Sequence, residues 1–196
     1  MLKIENTDVV GWEAAIRGMR NPMNSWEKSD SKWYSIGIPT SNPAAINDKC
    51  LSQKYCLGDN DLDLMTRLRN AGTDHRKFMR MIVVYVDITA PLYWWKEFDT
   101  YKIGTVANSC STMHKIHAKE FDVNDFSHEH VEELTGDDYN TSYDFLLRTV
   151  DILNYHRKKF LETQDKRYWW QLIQLLPSSF NQRRTWDLNY AVLRNI

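Results

Sequence analysis

The sequence predicts an α+β fold in a single domain, residues 1–196, and three observations carry that expectation. The run FMRMIVVYVDIT at 78–89 is rich in β-branched and aromatic residues and is the best strand. The stretch NTSYDFLLRTVDILNYHRKKFLETQDK at 140–166 repeats apolar residues at helical spacing, so the C-terminal half carries a long helix. Eight Trp, ten Tyr and seven Phe in 196 residues supply one substantial core, since each aromatic buries roughly 150–250 Å².

The elements follow in chain order. WEAAIRGM (12–19) reads as a short helix ended by Asn21-Pro22, and SDSKWYSIGIPTSNPAAIND (29–48) as loop with one strand. GDNDLDLMTRLRNAG (58–72) is a helix capped by Asp59 or Asn60, with acids in its first turn. Its stripe is Leu62, Met65 and Leu68, and Gly72 stops it. The strand at 78–89 has no polar alternation, which predicts cover on both faces. Pro91 opens a helix, PLYWWKEFDTYK (91–102), interrupted by Gly104, and NSCSTMHKIHAKEF is expected to be a second helix.

HVEELTGDD (130–138) is acidic and exposed. The long helix places Tyr143, Leu146 or Leu147, Val150, Leu153 and Phe160 on one face. RYWWQLIQLLP (167–177) is a shorter helix ended by Pro177, and 178–196 is expected to run helically to the last residue.

Composition narrows the function. The formal charge of −1 gives no global basic field toward nucleic acid or an anionic membrane. No apolar run approaches the roughly 20 residues that span a bilayer, and three sparse cysteines make no disulfide framework, so cytoplasmic residence is expected. His128 and His130 lack further ligands for a metal, and the polar-loop reading is preferred. Lys158-Lys159, Lys166-Arg167 and Arg183-Arg184 lie near Trp169, Trp170 and Trp186. Such pairs suit a solvated helix face by default and single-stranded nucleic acid as the alternative.

YKIGTVANSCSTMH at 101–114 packs small and polar residues closely, as a binding turn does. Laid on the pattern R-H-R-x-x-S-x-N-x-x-S-x-R-Y, it keeps Asn108 and Ser111. Leu176-Pro177, Trp186 and Asn189 repeat a second spacing of the same family, and His75 with Phe78 repeats its approach to the core strand. Over residues 75–196 the chain thus resembles the flavin-dependent thymidylate synthase (ThyX) family, whereas residues 1–70 match no family pattern.

The resemblance implies a small central antiparallel or mixed sheet flanked by several helices. It also implies a homotetramer whose sites combine several subunits, FAD as cofactor, and dUMP as the nucleotide. Arginines of that family grip the phosphates by paired charge-assisted bonds. Here Tyr101, Lys102 and Ile103 replace Arg-His-Arg, Val106 replaces a Ser, Met113-His114 replace Arg-Tyr, and Ala191 replaces an Arg. Each lost contact to a charged group forfeits roughly 1.5–3 kcal/mol.

The expected residue set for a nucleotide or flavin is therefore Lys102, Asn108, Ser111, His114, Asn189, Arg183, Arg184 and Arg194, with FAD an open question and the parent thymidylate synthase chemistry lost. The alternative is a non-enzymatic protein on the same scaffold, of phage or mobile-element type, that binds a protein partner, nucleic acid or a signalling nucleotide.

Overall fold

The computed structural model describes residues 2–37, 51–101, 103–131 and 141–196. The chain divides into two compact units, the first Met1–Thr7 with Tyr85–Asp187 and the second Asp8–Val84 with Leu188–Ile196. The fold is α+β, with a four-stranded sheet of β1 (Lys3–Val10), β4 (Val83–Pro91), β6 (Asn181–Asn189) and β5 (Val106–Ser109), in the order β1-β4-β6-β5.

In the second unit, α1 (Trp12–Arg20) and α2 (Asp59–Asn70) close over a core of Ile16, Met19, Leu64, Met65, Phe78 and Ile82. Between them in sequence, β2 (Lys32–Gly37) and β3 (Leu51–Cys56) form an antiparallel ribbon. The start of α2 departs from expectation. Gly58 is its N-cap, and the cap is supplied from a distance, because Asp30 accepts from the backbone N–H of Asn60 at 2.9 Å and Asp61 at 3.1 Å. A Cβ at Gly58 would overlap that carboxylate. The buried stripe also shifts by one position: Leu62 is exposed, and Asp61 and Leu64 are buried with Met65.

The strand expected at 78–89 begins only at Val83. Residues Arg76–Met81 form a 3-10 turn whose Phe78 and Met79 are buried, so the apolar run serves packing before it serves the sheet. Nor is β4 covered on both faces, for Val84, Val86, Ile88 and Ala90 are buried while Tyr85 is exposed and Asp87 and Thr89 are half-buried.

In the first unit, α3 (Leu92–Phe98) follows Pro91 as expected and buries Trp95 and Phe98. The helix expected from Asn108 onward is replaced by β5 and a series of turns. The backbone there finds partners outside a helix: β5 pairs with β6, and Asn154 brackets Phe121 through bonds to its N–H and its carbonyl at 2.9 and 2.8 Å. A second core gathers Ile116, Phe121, Phe126, Leu146, Val150, Leu153 and Leu172 from these turns, α4 (Ser142–Thr163) and α5 (Lys166–Leu175). On α4, Leu146 and not Leu147 faces this core. The acidic segment at 132–138 lies outside the described residues.

The helix expected over 178–196 is overturned as well. Residues Asn181–Asn189 are a strand, and only Tyr190–Leu193, α6, is helical. Gln182, Trp186 and Leu188 are buried, alternating with more exposed residues at the two-residue period of a half-covered strand.

Helix α4 opens with a reciprocal cap, in which Thr141 Oγ1 accepts from Asp144 N–H at 3.0 Å and the Asp144 carboxylate accepts from Thr141 N–H at 3.1 Å. Thr141→Ala is expected to lower stability by about 1 kcal/mol, measured as a shift of the urea midpoint at constant slope. Thr141→Ser should restore it.

Candidate functional site

The two stretches singled out in the sequence are neighbours in the sheet. β5 pairs antiparallel with β6, with Val106 opposite Asp187, Ala107 opposite Trp186, Asn108 opposite Thr185 and Ser109 opposite Arg184. The pairing continues past Ser109, since Cys110 N–H donates to the Arg183 carbonyl at 2.9 Å and Gln182 Nε2 donates to the Cys110 carbonyl at 2.6 Å. The chain then turns on Ser111, whose Oγ accepts from the N–H of Met113 at 3.2 Å and His114 at 2.8 Å. Ser111 is thus a turn former, while Asn108 and His114 are exposed.

Strand geometry separates Arg183 from Arg184. Arg183 lies on the open face and donates to Asp87 at 2.6 Å. Asp87 also accepts from Thr185 Oγ1 at 2.5 Å and Asn6 Nδ2 at 2.7 Å. The bonds from Thr185, Asn6 and Arg183 hold its carboxyl far below the usual carboxylate range. Arg184 lies on the covered face, its guanidinium carbon 4.2 Å from the Trp95 ring centre, with bonds to Gln182 Oε1 at 2.9 Å and Asp99 at 2.7 Å. A phosphate would compete with a stacked ring and a carboxylate for Arg184, and with Asp87 for Arg183.

In the second unit, Asn189 caps α6, its Oδ1 accepting from Ala191 N–H at 3.0 Å and Val192 N–H at 3.2 Å. Arg194 is exposed at the other end of that short helix. Lys102 lies outside the described residues.

The second unit also holds a cavity of about 700 Å³, within the range of small-molecule sites. Met19, Met23, Leu68, Phe78 and Met81 supply apolar wall, and Asp74, His75 and Lys77 stand at it. Gly18 leaves room for Met81, whose sulfur would lie 3.1 Å from a Cβ there. Among the described residues, no group of three or more His, Cys, Asp or Glu could hold a metal ion, and no helix is long and apolar enough to cross a membrane.

No protein-family model matches the chain, and no curated protein matches it by sequence. Solved structures do match. A flavin-dependent thymidylate synthase ThyX from Helicobacter pylori, complexed with FAD and dUMP, superposes with a TM-score of 0.62 at 16% identity. The match covers 98% of this chain and 81% of that one. The fold is that of ThyX. A second structure of the Helicobacter pylori ThyX with FAD and dUMP gives 0.60 at 14% identity over 100% of this chain and 81% of that one. A UMP/dUMP methylase from Streptomyces cacaoi bound with 5-Br UMP gives 0.55 at 11%, covering 98% of this chain and 74% of that one.

The ThyX likeness therefore reaches into residues 1–70, where the sequence offered no pattern. Sequence reading also missed Asp87, Asn6 and Thr185. Their one signal was an acid inside an otherwise apolar strand.

Proposed function

We propose that this chain is a nucleotide- or flavin-binding protein on the ThyX fold that has lost the parent thymidylate synthase activity. The observation that carries the reading is the strand pairing of residues 106–109 with 184–187, which unites the two stretches whose spacing resembles ThyX. The structures this chain resembles were solved with FAD and dUMP or with 5-Br UMP, which supports the ligand class. The loss of activity rests on Tyr101, Ile103, Met113 and Ala191 standing where the family pattern has arginine.

The flavin's ring is assigned, in this reading, to the apolar part of the cavity. Met19, Leu68 and Phe78 would hold a planar ring and keep water from it, and Lys77 would offer a point charge to a phosphate. A bound flavin would supply hydride transfer at its ring. On the sheet face, Asn108 presents an exposed amide able both to donate to and to accept from a pyrimidine edge. Assembly into a homotetramer belongs to the same proposal.

A second reading, a non-enzymatic binding protein on this scaffold, is favoured by one observation. Arg183 and Arg184 already carry carboxylate partners, so neither is a ready phosphate ligand. Thermal melts separate the two readings. FAD or dUMP at 100 times its dissociation constant should add about 2.7 kcal/mol, and replacing Lys77, Lys102 and Asn108 by Ala should abolish the shift. Colourless protein with no shift from either ligand would leave the second reading standing alone.

A further inference from the structure

The ribbon β2–β3 reads KWYSIG and LSQKYC, with two lysines and no acid. Its register sets Tyr34 opposite Lys54 and Lys32 opposite Cys56, so these four share one face. Trp33 and Tyr55 oppose each other on the other face. That other face is held at Tyr55, while Trp33 stays 53% exposed. Trp33 and Tyr55 meet edge to face at 5.0 Å, Trp33 Nε1 donates to Glu13 over 3.3 Å, and Tyr55 packs against the core between α1 and α2.

The first face is turned to solvent. Tyr34 is 46% exposed, and Lys32 Nζ stands 5.1 Å from the centre of its ring. Among the described residues, neither Lys32 nor Lys54 has a carboxylate within ion-pair distance. The two lysines are diagonal neighbours across the strand pair, roughly 7–8 Å apart at the backbone, with Tyr34 between them. A ligand complementary to this face must combine spaced negative charges with a flat ring available for stacking.

We propose that the outer face of β2–β3 binds single-stranded nucleic acid. A base stacks on Tyr34, and successive phosphates contact Lys32 and Lys54. A duplex offers the same charges with its rings already stacked inside, so the single strand is preferred. None of these three residues lines the cavity of the second unit, so this surface acts independently of the nucleotide reading above.

The test is fluorescence anisotropy of a labelled short oligothymidylate with the full chain, repeated at stepwise salt concentrations. Two phosphate contacts predict that log K falls against log salt with a slope of about −1.4. Lys32→Gln and Lys54→Gln should each flatten it to about −0.7. Tyr34→Ala should weaken binding roughly 10- to 100-fold and leave the slope unchanged. All three positions are exposed, and an unchanged melting curve confirms that each variant is folded. Absence of binding at low salt, a slope indifferent to both lysine changes, or a duplex bound as tightly as the single strand would each overturn the proposal.

Discussion

Replacing Arg20 by leucine is expected to destabilise the second unit by about 3–5 kcal/mol. Arg20 is 4% exposed and Asp61 fully buried, and Arg20 Nε reaches Asp61 Oδ1 at 2.6 Å. The guanidinium also donates to the carbonyls of Ser25 at 3.2 Å and Lys28 at 3.1 Å. The other Asp61 oxygen accepts from Ser29 Oγ at 2.7 Å, Ser31 Oγ at 2.6 Å and the backbone N–H of Asp30 and Ser31 at 3.2 and 3.0 Å. One ion pair thus ties α1, the segment 25–31 and α2 together. Without Arg20, a buried carboxylate loses its counter-charge, and the desolvation cost is no longer offset.

The loss should depend on pH. Burial pushes the Asp61 carboxyl up, but the bonds from Ser31, Ser29 and Arg20 outweigh it and hold the pKa below the ordinary value. A depressed folded pKa contributes stability above the unfolded value, about 3.9, and that contribution is lost as pH falls through the folded pKa. In Arg20→Leu the carboxyl rises instead, and protonation relieves the uncompensated charge. The stability gap between parent and variant, measured by urea unfolding, should be widest near neutrality. It should begin to shrink as pH falls through the variant's raised pKa, above about 3.9, and go on shrinking down to the parent's depressed one. A gap under about 1 kcal/mol at neutral pH would mean that water reaches Asp61 and that the pair is not a buried tie.

The same pair shows what the sequence could and could not disclose. Helices α1, α2, α4 and α5 were legible because their apolar spacing is local, and α1, α2 and α5 also carry Pro or Gly at an end. Asp61 was read only as one of the first-turn acids that complement the helix dipole, since its partner stands 41 residues away. β6 was hidden for a related reason. Its covered face carries Gln182, buried, and Arg184, half-buried, beside Trp186, and Cys110, Trp95 and Asp99 receive those polar groups. β5 is exposed along its whole length, so no hydrophobic alternation marked it. The family spacing did foretell the union of 101–114 with the C-terminal stretch, although the first was expected as a turn running into a helix and the second as a helix. A spacing can persist when the local pattern that would reveal the element is lost.

Trp95→Ala is expected to cost about 3–5 kcal/mol in the first unit. Trp95 is 1% exposed and meets Trp186 at 5.8 Å and Phe98 at 5.9 Å between ring centres. Its Nε1 donates to the Gln182 carbonyl at 3.0 Å, and Arg184 covers its ring. The truncation therefore opens a cavity beneath β6, removes the Nε1 donor from the Gln182 carbonyl and removes the surface on which Arg184 lies. Trp95→Phe separates these effects. It keeps an aromatic ring and removes the donor, so it should cost about 1–3 kcal/mol, read as a shift of the urea midpoint at constant slope. Arg184→Ala combined with Trp95→Ala should be less damaging than the sum of the two single changes, with a coupling of about 0.5–3 kcal/mol. Additive losses would show that Arg184 is held by its polar partners, Asp99 and Gln182, and that the aromatic face does not support the strand opposite Asn108. The cluster would then be a local core with no part in positioning the candidate site.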